Sequence, residues 1–333
     1  MTYVADSTGA ALDDALPMLR LALDPVTAHR QLTEHLGLHA GAELERIEVV
    51  RHKPGRRAIV EYRVNRPEGP GSGPLAVLGK VRVRRYGKSG LRRLRSFRDA
   101  GFSPTATDGI AVPEPLGHIP EFRMWLQRKV PGTTLTGVLA TDGGVAAARR
   151  AAEVAHKVHR AGVPTDDTHD LADEVAILRR HLPSVVQWWP DLAGRVSRLL
   201  DACDRRVAGA RPGPPCGVHR DFYGDQVLVD GPRAWLLDLD LYCLGDPALD
   251  AGNFLGHVVE LAIRSADEAP ALAAAESAMR DRFLELHGRG SAPMVDLYTD
   301  LTLARHVYLS AVRPARRPYT PAIVAACEER FGL

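Results

Sequence analysis

Lysine is scarce in this chain of 333 residues: only five of the 43 basic side chains are lysine, and the rest are arginine. Cysteine is scarce too. Cys203, Cys216, Cys243 and Cys327 form no Cys-x-x-Cys pair, which excludes a zinc ribbon or disulfide framework and fits buried thiols in a reducing compartment. No apolar run approaches the roughly 18 residues of a membrane-spanning helix. Asp6, Asp13 and Asp14 stand where a signal peptide needs a basic start and an apolar stretch. The expectation is a cytoplasmic protein without a membrane partner. A 45% hydrophobic composition excludes disordered and fibrous classes.

The charge is uneven. Net charge is +2 overall, but residues 1–159 carry +8 and residues 160–333 carry −6. Length alone favours two lobes, and the pattern along the chain agrees. A helix is expected over Pro25–Leu36. Strands follow at Leu44–Val50, Ala58–Val64 and Leu75–Val83, rich in Val, Ile and Tyr and separated by turns at Lys53-Pro54-Gly55 and Arg66–Pro74. A helix over Ser89–Ala100 precedes further strands at Gly109–Val112 and Arg123–Val130. Beyond Leu135 helical periodicity dominates, with one interruption: apolar runs over Val227–Leu239 split by Asp230-Gly231-Pro232, the signature of a hairpin. The fold class is therefore α+β and two-lobed: residues 1–130, led by a helical segment over 1–40, and residues 131–333.

The most informative stretch is His219-Arg-Asp-Phe-Tyr-Gly-Asp-Gln226, then Trp235-Leu-Leu-Asp-Leu-Asp240, then Gly245-Asp-Pro-Ala-Leu-Asp250. An isolated H-x-D is usually a surface turn or a buried polar pair. Joined to a hairpin and to G-D-P-x-x-D, it resembles the kinase-like small-molecule phosphotransferases of the aminoglycoside phosphotransferase and choline kinase group. That resemblance implies a bilobal, protein-kinase-like fold: a small antiparallel β lobe with one main helix and a larger helical lobe. It also implies ATP or GTP as donor, Mg²⁺, and a hydroxylated small-molecule acceptor. Phosphoryl transfer needs an aligned acceptor hydroxyl and oxygen ligands for a metal that neutralises the triphosphate. On this reading Asp221 orients the hydroxyl, while Gln226 and Asp238 hold the metal. Gln226 replaces the family's asparagine but presents the same amide oxygen. Asp240 is either a second metal contact or a solvated carboxylate on the same strand. Asp250 buttresses the loop through backbone hydrogen bonds.

In the first lobe the resemblance assigns Lys80, inside the third strand, to the nucleotide phosphates. A snorkelling lysine is the bland alternative, yet an arginine-biased sequence keeps lysine here. Arg56 and Arg57 lie in the turn where the nucleotide-covering loop belongs, and equally suit a solvated hairpin tip. Gln127 to Lys129 fall where the family's hinge meets the purine. The helix after strand three lacks the usual glutamate, leaving Glu61 as a candidate partner for Lys80. Gly87-Lys88-Ser89 mimics the end of a Walker A motif, but Arg82 occupies the place of its first glycine. The basic run Arg82–Arg98 spreads around a strand and a helix as a solvated face, so no nucleic-acid partner is expected. Neither the acceptor nor the oligomeric state is legible. The acidic second half tilts toward a cationic or polyhydroxylated acceptor. The Arg-over-Lys, Ala-rich usage resembles high-GC actinobacterial proteins, favouring an antibiotic or a sugar-containing metabolite. The competing class is a non-catalytic nucleotide-binding regulator, suggested by the glycine-poor loop, the missing glutamate and Gln226. A protein kinase fits less well, because Gly245-Asp-Pro follows Asp238 too closely for an activation loop.

Overall fold

The computed structural model describes residues 2–39, 41–66, 73–83 and 89–333. Most of the turn expected at 66–74, and Gly87-Lys88 of the Walker-like tripeptide, lie outside the described residues. The chain divides into two units: Met1–Pro104 with Ala111–Pro131, and Thr105–Ile110 with Gly132–Leu333.

The first unit is built on one six-stranded sheet. Its strands are β1 (Tyr3–Ala5), β2 (Glu43–Lys53), β3 (Arg57–Asn65), β4 (Leu75–Arg82), β6 (Pro115–Ile119) and β7 (Met124–Arg128), in the order β1-β2-β3-β4-β7-β6; β5 is a two-residue strand, Ile110–Ala111. The alternation along β4 puts Leu75, Val77, Gly79 and Val81 inside and the residues between them half outside, as a one-face-buried strand requires. β1 was not expected within the leading helical segment. Three residues make no sequence signal, and its parallel pairing with Arg46–Glu48 creates it. The short helix α1 (Leu19–Ala22) and α2 (Pro25–Leu36) cover one face. α2 starts where its caps dictate: Asp24 accepts from Thr27 N at 2.9 Å and Pro25 opens the first turn. α3 (Ser89–Asp99) is the unit's other main helix.

The second unit is mostly helical: α4 (Gly144–Arg160), α5 (Leu171–His181), α6 (Ala193–Ala208), α7 (Ala248–Arg264), α8 (Ala269–His287), α9 (Ala292–Ala311) and α10 (Thr320–Phe331). α5 opens on a capping box in which Asp170 and Asp173 each accept from the other's backbone N–H at 3.1 Å. The expected hairpin forms from β10 (Val227–Asp230) and β11 (Arg233–Leu236), with β8 (Thr133–Thr134) beside β10. Two three-residue strands, β9 (Cys216–Val218) and β12 (Cys243–Gly245), pair antiparallel and carry the segments on either side of the hairpin. Among the described residues no helix is long and apolar enough to cross a membrane.

α7 and α9 pack closely because α7 presents glycine to its neighbour. A Cβ at Gly252 would stand 2.6 Å from Thr299 N and Tyr298 C, both backbone atoms that cannot step aside. Gly252→Ala is therefore expected to destabilise by about 1–3 kcal/mol, overpacking outweighing the helix propensity that alanine gains. Urea denaturation checks this, and a variant as stable as the parent removes the packing argument.

Candidate active site

The loop between β9 and the hairpin is fixed at both ends and strained in the middle. His219 and Phe222 are fully buried, with Phe222 between the rings of His219 and Phe254 at centroid distances of 5.8 and 6.0 Å. Between them, Arg220 adopts φ 72°, a left-handed conformation that costs a side-chain-bearing residue of order 1 kcal/mol or more. Among the described residues only Arg123, Arg220 and Asp238 do this without being glycine. One of the three, Asp238, was expected to hold metal, and another, Arg220, directly precedes Asp221.

What holds Arg220 in place is Asp250, in the first turn of α7. Its carboxylate, fully buried, accepts from His219 N at 2.8 Å, from Arg220 N at 2.7 Å and from His159 Nε2 at 2.9 Å. Burial alone pushes this carboxyl upward, but the His159 contact and the other donors bring it below the ordinary carboxylate range. The buttressing expected of Asp250 is thus present. His159 was not foreseen as its partner, since the two lie 91 residues apart. Further support comes from Asn253, which donates to Arg220 O at 3.4 Å and accepts from Arg305; Arg305 also reaches Glu174 at 3.4 Å.

The hairpin delivers the remaining candidates. His219 Nε2 donates to Leu237 O at 2.8 Å, and Leu237 N donates to Gln226 O at 2.8 Å. Leu237 therefore ties the loop that carries Asp221 to both segments expected to hold metal, since Asp238 follows it directly and Gln226 faces it across the hairpin mouth. Gln226 is 6% exposed and closes a 3-10 turn over Gly224–Gln226. That turn sits tight: a Cβ on Gly224 would lie 2.8 Å from Thr136 N. Asp238 takes φ 53°, ψ 52° and begins a second 3-10 turn over Leu239–Leu241. Asp240 is consequently not on the extended strand anticipated for it. Burial of Leu239 bends the chain at Asp238.

Asp238 and Gln226 supply hard oxygen donors, with Asp240 two residues on. Among the described residues no three His, Cys, Asp or Glu side chains form a metal-binding group. One or two carboxylates with an amide suit Mg²⁺, which takes few protein ligands and completes its octahedron with phosphate oxygens and water. These residues fit such an ion better than zinc, whose protein sites hold it with three or four ligands rich in His or Cys.

In the first unit, Lys80 lies on β4 opposite Ile59 and Trp125, its Nζ 4.7 Å from the centroid of the Trp125 ring. Glu61 is not its partner. That carboxylate, 2% exposed, is held by Lys129 Nζ at 2.7 Å and Arg63 Nε at 2.8 Å. Burial raises the Glu61 carboxyl, and these two cations bring it below its usual value. Lys129 also commits its N–H to Ala76 O at 2.9 Å. Gln127 is buried within β7 opposite Leu78. Arg56 is exposed at the β2–β3 turn and Arg57 begins β3. The same turn is braced from the N-terminal segment: Asp13 Oδ2 accepts from Gly55 N and from His52 Nε2, each at 2.8 Å. Nothing in the spacing of Asp13 pointed to this.

Three histidines in the second unit are kept neutral. Burial drives the pKa of His287 down to about 3, and it pushes His257 and His306 well below the usual imidazole value, with neighbouring arginines acting in the same direction on the latter two. The unfolded chain binds these protons near pH 6.5 and the folded chain only at much lower pH, so stability falls as pH drops below about 6.5. The loss between pH 7 and pH 5 should come mainly from His306, which is fully buried, while half-buried His287 adds less because solvent screens it. Denaturant midpoints across that range check this; a flat profile down to pH 5 contradicts neutral burial.

Among curated proteins no sequence matches. Solved structures do match. An amicoumacin kinase in complex with AMP-PNP, Ca²⁺ and Ami aligns with TM-score 0.63 and 12% identity, covering 94% of this chain and 96% of that one. A spectinomycin phosphotransferase in complex with ADP and spectinomycin aligns with TM-score 0.61 and 11% identity over 91% and 97%. A choline/ethanolamine kinase family protein from Mesorhizobium loti aligns with TM-score 0.58 and 15% identity over 95% and 94%. These likenesses establish a kinase-like fold. The model of the phosphotransferase enzyme family (APH) matches residues 89–286, well over half the chain and including the strained loop, the hairpin and Asp250. This chain belongs to the phosphotransferase enzyme family.

Proposed function

We propose that this protein transfers the γ-phosphoryl group of ATP or GTP to a hydroxyl of a small molecule, an antibiotic or a sugar-containing metabolite. The observation that supports the reading is the braced, left-handed turn at Arg220, directly before Asp221, in a loop tied through His219 to Leu237, which adjoins Asp238 and pairs with Gln226. Asp221 aligns the acceptor hydroxyl and takes its proton as the new oxygen–phosphorus bond forms. The bond from the γ-phosphorus to the bridging oxygen breaks, and the nucleoside diphosphate leaves. Gln226 and Asp238, with Asp240 nearby, hold Mg²⁺, which supplies charge neutralisation for the triphosphate. Lys80 contacts the phosphates, helped by Arg56 and Arg57; the strand end from Gln127 to Lys129 meets the base. Neighbours solved with ADP or with AMP-PNP and Ca²⁺ support a nucleotide donor and a divalent metal. Positioning and electrostatics do most of the work in such a site.

The test is mass spectrometry of hydroxylated antibiotics and sugars incubated with protein, Mg²⁺ and each nucleotide. A phosphate increment that vanishes in Asp221→Ala is expected. A second reading, a nucleotide-binding regulator without catalysis, draws support from Gly55 N, which is bound to Asp13 rather than open to a phosphate. That reading prevails if no acceptor gains mass while nucleotide still raises the melting temperature. Lys80→Ala is expected to weaken nucleotide binding about tenfold or more, in line with loss of a charge-assisted contact, while leaving the fold intact. Unchanged affinity removes Lys80 from the phosphate site.

A further inference from the structure

The second half of the chain is acidic in sum, yet the surface beside the proposed catalytic loop is not. Tyr223, two residues beyond Asp221, stacks on His257 of α7 with ring centroids 4.4 Å apart and planes 13° apart. His257 in turn meets the edge of the His306 ring at 4.4 Å. Around this aromatic column stand four guanidiniums: Arg264 at the end of α7, Arg305 on α9, and Arg313 and Arg316 in the turn between α9 and α10. Their positive field acts together on His257. Three carboxylates answer them. Glu260, 2% exposed, is shared by Arg264 at 2.7 Å and Arg316 at 3.5 Å. Glu174 is divided between Arg305 and His169, and Asp225 is exposed.

At Glu260 two guanidiniums therefore meet one buried carboxylate. Burial, together with repulsion from Arg264 and Arg313, outweighs the pull of Glu260 and holds Arg316 below the usual guanidinium range. An independent sign lies beneath. His306 is 1% exposed, and neither of its ring nitrogens has a hydrogen-bond partner. Its two buried nitrogens are unsatisfied directly against the His257 ring. Arg264, Arg305 and Arg316 keep 19–31% of their side-chain surface in solvent, so their free N–H groups remain within reach of a ligand. Planar guanidiniums in partly desolvated positions favour carboxylate and phosphate groups, which they bind with paired hydrogen bonds.

We propose that the acceptor of this phosphotransferase carries an anionic group, a carboxylate or a phosphate, and that Arg264, Arg313 and Arg316 bind it beside the Tyr223–His257 stack. This deepens the phosphotransferase reading and rests on it. It also reverses the cationic preference suggested by the charge of the whole second half, because local charge, not the sum over 174 residues, sets recognition.

The test uses three sugars that differ in charge: D-glucuronate, D-glucose and D-glucosamine. Each is titrated calorimetrically into the full chain saturated with Mg²⁺ and AMP-PNP. D-glucuronate is expected to bind at least about tenfold more tightly than D-glucose, with D-glucosamine weakest, as charged hydrogen bonds to guanidinium predict. Arg316→Gln and, separately, the exposed Arg313→Gln should each erase most of that preference while leaving affinity for D-glucose and AMP-PNP unchanged. Arg313→Gln keeps the test decisive if Arg316→Gln upsets Glu260 and misfolds. Equal affinity for the three sugars, preference for D-glucosamine, or a preference untouched by both variants overturns the proposal. A parallel transfer assay over anionic, neutral and cationic acceptors separates the two ideas. If no acceptor of any charge is phosphorylated, the phosphotransferase reading fails, while the order of sugar affinities still decides the anion site.

Discussion

Asp221→Asn is expected to lower kcat by about 10²- to 10⁴-fold, the range lost when a positioned acid–base group is removed. Stability should change little, because Asp221 is half-buried and the loop's anchors lie at its neighbours: His219 and Phe222 in the core, and the backbone of His219 and Arg220 on Asp250. KM for nucleotide should stay near that of the parent, since the role proposed for this carboxylate is on the acceptor. A variant that retains more than about a tenth of parental kcat shows that transfer proceeds without this base, and positioning alone then carries the reaction.

The second large effect is structural and then catalytic. Asp250→Ala removes an acceptor that satisfies the buried N–H of His219, the half-buried N–H of Arg220 and one imidazole. Each buried donor left without a partner costs about 1–3 kcal/mol. The cost is offset in part because a desolvated carboxylate disappears, so a net loss of about 3–5 kcal/mol is expected, as for breaking a buried ionic pair. Asp250→Asn should be nearly as harmful, since its NH₂ meets N–H donors where an oxygen stood. The stabilisation Asp250 provides has its own pH signature. Its folded carboxyl lies below the ordinary range, so its contribution is present above the unfolded carboxylate pKa near 3.9 and is lost as pH falls further. With Asp250 gone, Arg220 loses the contact that keeps it left-handed, and kcat should fall in whatever fraction remains folded. Denaturation midpoints decide the first point and active-site-normalised kcat the second. An Asp250→Ala protein within about 0.5 kcal/mol of the parent, the range of ordinary surface substitutions, denies the buttress its role.

Much of this architecture was legible from residue order. Local rules wrote the helix starts at Asp24 and Asp170, because a side-chain oxygen that caps its own helix needs no distant partner. The hairpin around Gly231-Pro232 and the alternation along β4 follow from equally local chemistry. The hairpin follows from its own residues, while the loop and its buttress were implied by the family resemblance that His219, Asp221, Gln226, Asp238 and Asp250 carry within 32 positions of one another.

What failed to show was whatever depends on partners far apart in sequence. β9 and β12 have three residues each and exist only because they pair. The extended reading of Asp240 followed Leu-Asp-Leu alternation, but the chain turns there because Leu239 is drawn into the core. Glu61 looked available to Lys80 on the neighbouring strand, yet Lys129, 68 residues away, claims it, and Lys80 rests over Trp125 instead. Charge shows the same division. Counting residues gave a basic half and an acidic half, while folding brought Arg264 and Arg316 together on the one buried carboxylate of Glu260. The sequence by itself determined which chemical groups this protein has and which of its short segments are stable. Only the tertiary structure decided which groups meet, because contacts across tens of residues are chosen by packing and burial, and no local pattern encodes them.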